Sequence, residues 1–372
     1  MKKLLFSAMM LIATANSFSQ TSASWINNVK LSGYGMTQYQ YSSQDNNESN
    51  SFNLRMLRLS LEGRVLDDFY WKAQLQFNGN TSKLGDSPRV VDLFAEWQKY
   101  KYFKVKIGQF KRPFTFENPM NPIDQGFMSY SQNVTKLAGF SDRAGGHSSN
   151  GRDIGVQLQG DFLKNNNGRE LLHYQVGVYN GQGINVKDVD QRKDIIGGLW
   201  VMPVKGMRIG VFGWEGSYAR KGNWSDENGT ACQGVRSLPQ HRYAISGEYM
   251  VDDWTFRTEY IHSTGEAFAK SLVNTNDASS TDCSLSSNGN KADGYYALVI
   301  APIIKKKLHV KARYDMYRPT AEWNKMRTQY EFGADYEFHR NFEISAEFAH
   351  INDRSLIKHN YNMVDVEVDF RF

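Results

Sequence analysis

No stretch of this chain reaches the roughly 18 uninterrupted apolar residues that a membrane-crossing helix needs, so a helical span is excluded. Proline is scarce, with eight in 372 residues, as suits a chain built of long extended segments. There are two cysteines, Cys232 and Cys283, both in polar stretches rich in Gly, Ser and Asn, and neither has metal-site spacing. In an oxidising compartment they either form one disulfide between neighbouring loops or stay as two free thiols. A strong excess of one charge is also missing. The formal net charge of +5 falls to +3 without Lys2 and Lys3, too little to argue for a nucleic-acid partner. The eight histidines are scattered, and none stands at ligand spacing with another His or Cys. Asp188, Asp190 and Asp194 lack the glycine and terminal glutamate of a calcium loop, and Gly145-Gly146 and Gly197-Gly198 lack the strand–turn–helix context of a phosphate cradle. No metal and no cofactor is expected.

What the chain has in quantity is aromatic residues, 20 Tyr, 22 Phe and eight Trp. Its last nine residues alternate strictly. Val364, Val366, Val368, Phe370 and Phe372 share one parity, and Asp365, Glu367, Asp369 and Arg371 the other. Side chains of a strand point to opposite faces with period two, so one face is apolar and the other charged. A terminal aromatic on such a strand resembles the closing strand of a bacterial outer-membrane β-barrel. At the other end, Met1-Lys2-Lys3, the mostly apolar run from Leu4 to Ala15 and Ser17-Phe18-Ser19 read as an export signal. Residues 1–19 are therefore expected to be cleaved, residues 20–372 to form a single barrel domain with no plug before it, and the location to be the bacterial outer membrane.

Segments of about ten alternating residues, the length a tilted membrane strand needs, recur along the chain. They fall at residues 29–41, 52–65, 69–77, 91–99, 103–110, 153–162, 171–179, 195–202, 207–217, 241–250, 254–262, 295–303, 308–317, 328–338, 342–350 and 364–372. This predicts an all-β fold, a 16-stranded antiparallel transmembrane barrel. Connections after even-numbered strands are short, as in Leu66-Asp67-Asp68 and Val251-Asp252-Asp253, and those after odd-numbered strands are long. Short periplasmic turns and long outer loops are the asymmetry of bacterial barrels.

The polar parity decides between a pore and a packed interior. It carries Arg58, Arg64, Lys72, Lys104, Lys106, Arg208, Arg242, Arg257, Lys311 and Arg313 as channel-lining cations, interleaved with Glu62, Asp92, Glu96, Glu248, Glu259, Asp315, Glu331, Asp335 and Glu347. Burying so many ions in a dry core would cost several kcal/mol each, so the interior is expected to be hydrated. Residues 111–152 are too long for a passive hairpin loop and are expected to fold into the lumen as a constriction. Lys111, Arg112, Arg143 and Arg152 are its candidate cations, which near a constriction would favour anions. The plain alternative is that these are solvated loop charges, and that each lining cation is paired with an acid.

Two segments carry a family resemblance. Val105-Lys106-Ile107-Gly108-Gln109-Phe110-Lys111-Arg112-Pro113-Phe114 with Glu117, and then Gly151-Arg152-Asp153-Ile154-Gly155-Val156, resemble the recurrent segments of the phosphate-selective porin O and P family. The resemblance implies a sixteen-stranded outer-membrane porin, usually a homotrimer, that passes anions by diffusion past lumen arginines and lysines. This chain departs from that pattern in its interleaved acids and acidic closing strands.

Other function classes leave weaker marks. A surface scaffold or adhesin would use the segments 219–238 and 264–293, which are also of ordinary outer-loop length. A sugar channel would need an inward aromatic track, whereas Phe69, Trp71, Phe77 and Trp97 share the lipid-facing parity and only Tyr70, Phe94, Phe212 and Trp214 point inward. An outer-membrane hydrolase would rest on His147 beside Ser148 and Ser149.

Overall fold

The computed structural model describes residues 26–78, 88–145, 149–226, 228–269 and 281–372; the expected signal segment and His147 lie outside them. Sixteen strands form the wall: β1 (Ile26–Ser42), β2 (Ser49–Val65), β3 (Phe69–Asn78), β4 (Arg89–Tyr100), β5 (Phe103–Lys111), β6 (Arg152–Lys164), β7 (Glu170–Tyr179), β8 (Asp194–Val201), β9 (Met207–Ser225), β10 (Ala231–Val251), β11 (Trp254–Thr264), β12 (Lys291–Ile304), β13 (Leu308–Arg318), β14 (Arg327–His339), β15 (Phe342–Asp353) and β16 (Asn360–Arg371). Each pairs antiparallel with the next, and β16 returns to β1 from Tyr34↔Arg371 to Ser42↔Met363, so the sheet closes. Closure removes the edges that an open sheet would leave unpaired. A two-residue piece, Thr281–Asp282, runs parallel beside β9 outside the wall.

Alternation places the side chains. On β9, Ile209 and Val211 are exposed on the outside, while Phe212 and Trp214 are buried within. Val176, Ile195, Leu199, Ile245, Phe256, Phe332 and Phe348 extend the outward apolar belt. The short connections gather at one end. Leu66 and Asp67 have φ of 50° and 56°, and Asp252 and Asp253 of 49° and 76°. Two successive positive φ values match the right-handed twist of the strands a tight hairpin joins.

Two details depart from the sequence reading, and a third settles an open alternative. First, Val91 is fully buried and Val90 is exposed, because a bulge after Gln74 shifts the β3–β4 register. Second, segment 219–238 is no loop. β9 and β10 pair continuously from Tyr249↔Met207 to Ala231↔Ser225, so their hairpin projects well beyond the roughly ten residues a bilayer requires. Residues such as Lys221, Asn223 and Gln233 are polar on both faces, so no period-two signal marked it. Third, of the two alternatives for the cysteines, the structure shows no disulfide between them. Cys232 lies opposite Trp224 on one side of β9, and Cys283 follows the Thr281–Asp282 piece on its other side. Two strand spacings, about 10 Å, exceed the reach of a disulfide. Native maleimide labelling read by intact mass should therefore modify Cys232 and spare the buried Cys283 until denaturation. A mass two hydrogens low, with no labelling, would contradict this.

Residues 112–151 turn into the barrel. Phe114, Phe116, Val134, Leu137 and Ala138 of this loop join Phe110, Tyr179, Ile196, Phe212, Trp214, Ala244, Ile261, Ala292 and Tyr317 of the wall in one buried cluster. Burying each large side chain is worth about 1.5–3 kcal/mol, which compensates for ordering a long loop. The hydrated interior expected from the charges thus gives way, on this side of the lumen, to a dry apolar packing. Where β5 leads into the loop, Gly108 has φ of 132°, and a Cβ there would sit 2.2 Å from the Leu93 carbonyl oxygen. Only glycine suits that place in the motif.

Candidate functional site

The lumen is built from two kinds of charged residue, those that hold the inserted loop and those that face the space beside it. Wall carboxylates accept the loop's backbone N–H groups. Glu259 takes Phe116 N at 2.7 Å and Glu117 N at 3.0 Å, Asp315 takes Gln132 N at 2.8 Å, and Glu347 takes Met128 N at 3.0 Å. Wall cations donate to its carbonyls: Arg257 to Gln125 at 3.2 Å, Lys311 to Gly126 at 3.0 Å, Arg313 to Ser129 at 2.9 Å and Arg242 to Leu137 at 2.9 Å. Buried backbone groups need such partners, and a loop without secondary structure must find them on its surroundings. Inside the loop, Glu117 caps the turn before α1 (Gln132–Leu137) by accepting from Ser131 N and Oγ.

These cations are also paired. Arg257 and Arg208 share Glu248, each at 2.7 Å, and Arg208 lies over the Phe116 ring. Lys311 reaches Glu347 at 2.7 Å, and Arg313 grips Glu331. Arg242 holds Asp142 with both guanidinium nitrogens and stacks on Trp214. Three of the four expected constriction cations anchor the base of the loop: Lys111 donates to Asn118 O and Tyr130 OH, Arg112 binds Asp153 at 2.8 Å, and Arg152 binds Asp92 at 2.6 Å. Arg143 ties the loop to Gly265 O at 2.8 Å and Gly289 O at 3.2 Å in the outer segments.

The remaining cations stand on β2, β3 and β5. Arg58 is buried and donates to Gln76 Oε1 and Tyr34 OH, and Arg64 donates to Asp67 O and Gln98 Oε1. Neither has a carboxylate within 4.0 Å among the described residues, and nor does Lys72. Lys104 and Lys106 reach Asp161 and Glu96 only at 3.5 and 3.9 Å. Lys106 also lies 5.0 Å from the Phe94 ring centroid. Their side chains keep 24% and 17% exposure, so this lysine ladder meets the open part of the lumen. The sequence reading missed Arg55, which binds Glu367 at 2.6 Å. It sits at the β1–β2 bulge between Met36 and Thr37, where strict alternation gives no warning. The inward acids of the closing strands were legible, but their role as acceptors for a loop about 140 to 220 positions away was not.

Comparison with known proteins agrees with this architecture. The family model described as phosphate-selective porin O and P matches residues 32–187. OmpF of Salmonella typhi in complex with daunomycin superposes with a TM-score of 0.63 at 10% identity, over 93% of this chain and 98% of that one. The outer membrane channel DcaP of Acinetobacter baumannii gives 0.59 at 13% identity, over 94% and 99%. The trimer form of in-vitro folded OmpT of Vibrio cholerae gives 0.57 at 12% identity, over 93% and 99%. At such identities these likenesses show a shared fold. No curated protein sequence matches. With a closed sixteen-stranded wall, an outward apolar belt and a stretch, residues 32–187, that matches the phosphate-selective porin O and P model across the lysine ladder and the inserted loop, the chain is a barrel of the bacterial outer-membrane porin fold.

Proposed function

We propose that the barrel passes small hydrophilic solutes by diffusion and prefers anions, with Lys72, Lys104 and Lys106 as the residues that set the preference. The observation that carries this is the looseness of the Lys104 and Lys106 ion pairs beside tightly paired cations elsewhere. An anion in a pore exchanges part of its hydration for several weak charge-assisted hydrogen bonds, and a cation already locked to a carboxylate offers none. Arg58 and Arg64 add positive potential along the same side. Arg208, Arg242, Arg257, Lys311 and Arg313, expected as lining residues, are read here as supports of the loop. The protein is further read as a homotrimer in the lipid of the outer membrane, supported by its outward apolar belt and by the trimeric form of a barrel with the same fold.

The test is the reversal potential of the purified protein in planar bilayers under a chloride gradient. The wild type should favour chloride, and added phosphate should reduce the current. A K72Q/K104Q/K106Q variant should lower the chloride-over-potassium permeability ratio about threefold to tenfold, as expected if the three charges together contribute about 1 kcal/mol in hydrated surroundings. An unchanged ratio would refute the assignment of these three residues.

A further inference from the structure

We infer that a groove on the outer face of the wall, between β7 and β11, holds one phospholipid, with an acyl chain over Gly197 and Gly213 and a primary ammonium head at Glu215. This goes beyond the channel reading and does not depend on it.

The groove follows from the register. In one outward-facing row, Val176, Gly197, Gly213, Tyr243 and His262 are successive cross-strand partners on β7 to β11. Two neighbouring glycines leave the apolar belt without side chains there, and a cavity of about 730 Å³ opens between Val176 and Tyr243. A Cβ on Gly213 would meet no atom within 4 Å, so none of the described residues fills the space. The row on the periplasmic side, with Leu199 opposite Val211, is apolar and exposed. The row on the outer side is polar. Glu215 stands opposite His241 and His241 opposite Thr264, and His241 Nδ1 lies 2.6 Å from a Glu215 carboxylate oxygen.

This change of polarity runs along the membrane normal. His241 and Thr264 stand ten positions from Val251 and Trp254, the periplasmic ends of their strands. On tilted strands that is about 25 Å, the height of the apolar band of an outer-membrane barrel. The polar row therefore meets the outer head groups, and the glycines lie just beneath it among the acyl chains. A lipid has this polarity in this direction. Left empty, the groove would cost the side chains around it their dispersion contacts, and a seated chain supplies them. A second copy of the chain is the other candidate occupant, but it would give no reason for the polar row to stand at head-group height.

The rim selects the head. Glu215 is its one carboxylate, with a side chain 66% exposed. Arg242 also borders the groove, but its guanidinium is bound to Asp142 inside the barrel, and no Lys is among the lining residues described. Such a carboxylate opposes an anionic head and accepts charge-assisted hydrogen bonds from a primary ammonium, which a quaternary ammonium cannot donate. His241 Nε2 and the nitrogens of His262, whose ring stacks on Tyr243 at 5.2 Å, have no hydrogen-bond partner among the described residues and are left for the phosphate and ester groups.

Native mass spectrometry of the full chain, equilibrated in detergent with dipalmitoyl phosphatidylethanolamine, phosphatidylcholine or phosphatidylglycerol, tests this. The wild type should retain one ethanolamine lipid per chain, about fivefold more than either of the others, as one charge-assisted hydrogen bond in wet surroundings allows. Gly213→Leu fills the groove without meeting other atoms of the barrel and should lower retention of all three lipids about tenfold, through the apolar contact it displaces. Glu215→Gln should keep the chain site and lose the preference among heads. No lipid retained by the wild type, or undiminished retention in Gly213→Leu, would overturn the inference, and a head preference that survives Glu215→Gln would overturn the role of Glu215. If light scattering shows that Gly213→Leu converts an oligomer into monomers, the groove is a contact between copies of the chain and the lipid assignment fails.

Discussion

Replacing residues 113–138 by a short glycine–serine link between Arg112 and Gly139 should raise the single-channel conductance several-fold while leaving the barrel folded. Conductance is set by the narrowest cross-section, and this segment packs inside the lumen against β7 to β15. Its removal uncovers Glu259, Asp315, Glu347, Arg257, Lys311 and Arg313, which are buried and bonded to the loop. Water would then solvate these groups, so the deletion strands no charge in a dry site. The ends to be joined are close, since the backbones of Arg112 and Gly139 both hydrogen-bond Gly151, at 2.8 and 3.1 Å. The Arg112–Asp153 pair at the base stays intact. Unchanged conductance in a folded variant would mean that the constriction lies elsewhere. A graded version removes the clamps alone. In E259A, two loop amides lose their acceptor, at about 1–3 kcal/mol each. The apolar cluster still holds the loop, so flickering between two current levels is expected rather than full opening.

Arg242→Ala should give the largest single-residue loss of stability, about 3–5 kcal/mol, because it leaves the buried Asp142 carboxylate without its cation. Asp142 retains the amides of Gly139 and Ala144, at 3.0 and 2.9 Å, and these offset part of the cost. Lost with the guanidinium are the bond to Leu137 O and the stacking on Trp214. The loss is expected to be local, since the sixteen-stranded ladder does not depend on this side chain. Limited proteolysis should therefore cut the variant within residues 132–145 under conditions that leave the wild type intact. Arg242→Lys should fall between the two, as it keeps the charge but not the fork. Wild-type resistance in Arg242→Ala would show that the apolar cluster alone secures this half of the loop.

Much of this architecture can be read from the sequence because a barrel strand has two chemically opposed faces. All but the mixed β8 follow clearly from period two, and Asp365, Glu367 and Asp369 announce an inward polar face in the sequence itself. Alternation fails where one residue is inserted or where both faces meet water. The bulges at Arg55 and Val91 and the polar hairpin of β9 and β10 are of these kinds. The loop's insertion was suggested by its length and by the motif around Gly108. Its seating was not, because Phe116 meets Glu259 and Met128 meets Glu347 across separations of 143 and 219 residues. Nor does composition distinguish a cation that meets solute from one that holds a carbonyl. Lys72 and Lys311 look alike on their strands, and only the finished packing separates them.

The loop also carries information about assembly. It is made between β5 and β6, yet apart from Phe110 and Lys111 at its root the wall groups that hold residues 116–137, from Arg242 to Glu347, belong to strands made later. No docking surface exists for residues 113–138 until β10 to β15 are in register, so the segment must wait, its apolar side chains unburied, while the second half of the chain arrives. A nascent barrel is consequently wide before it is narrow, and the narrowing is the last event of its folding.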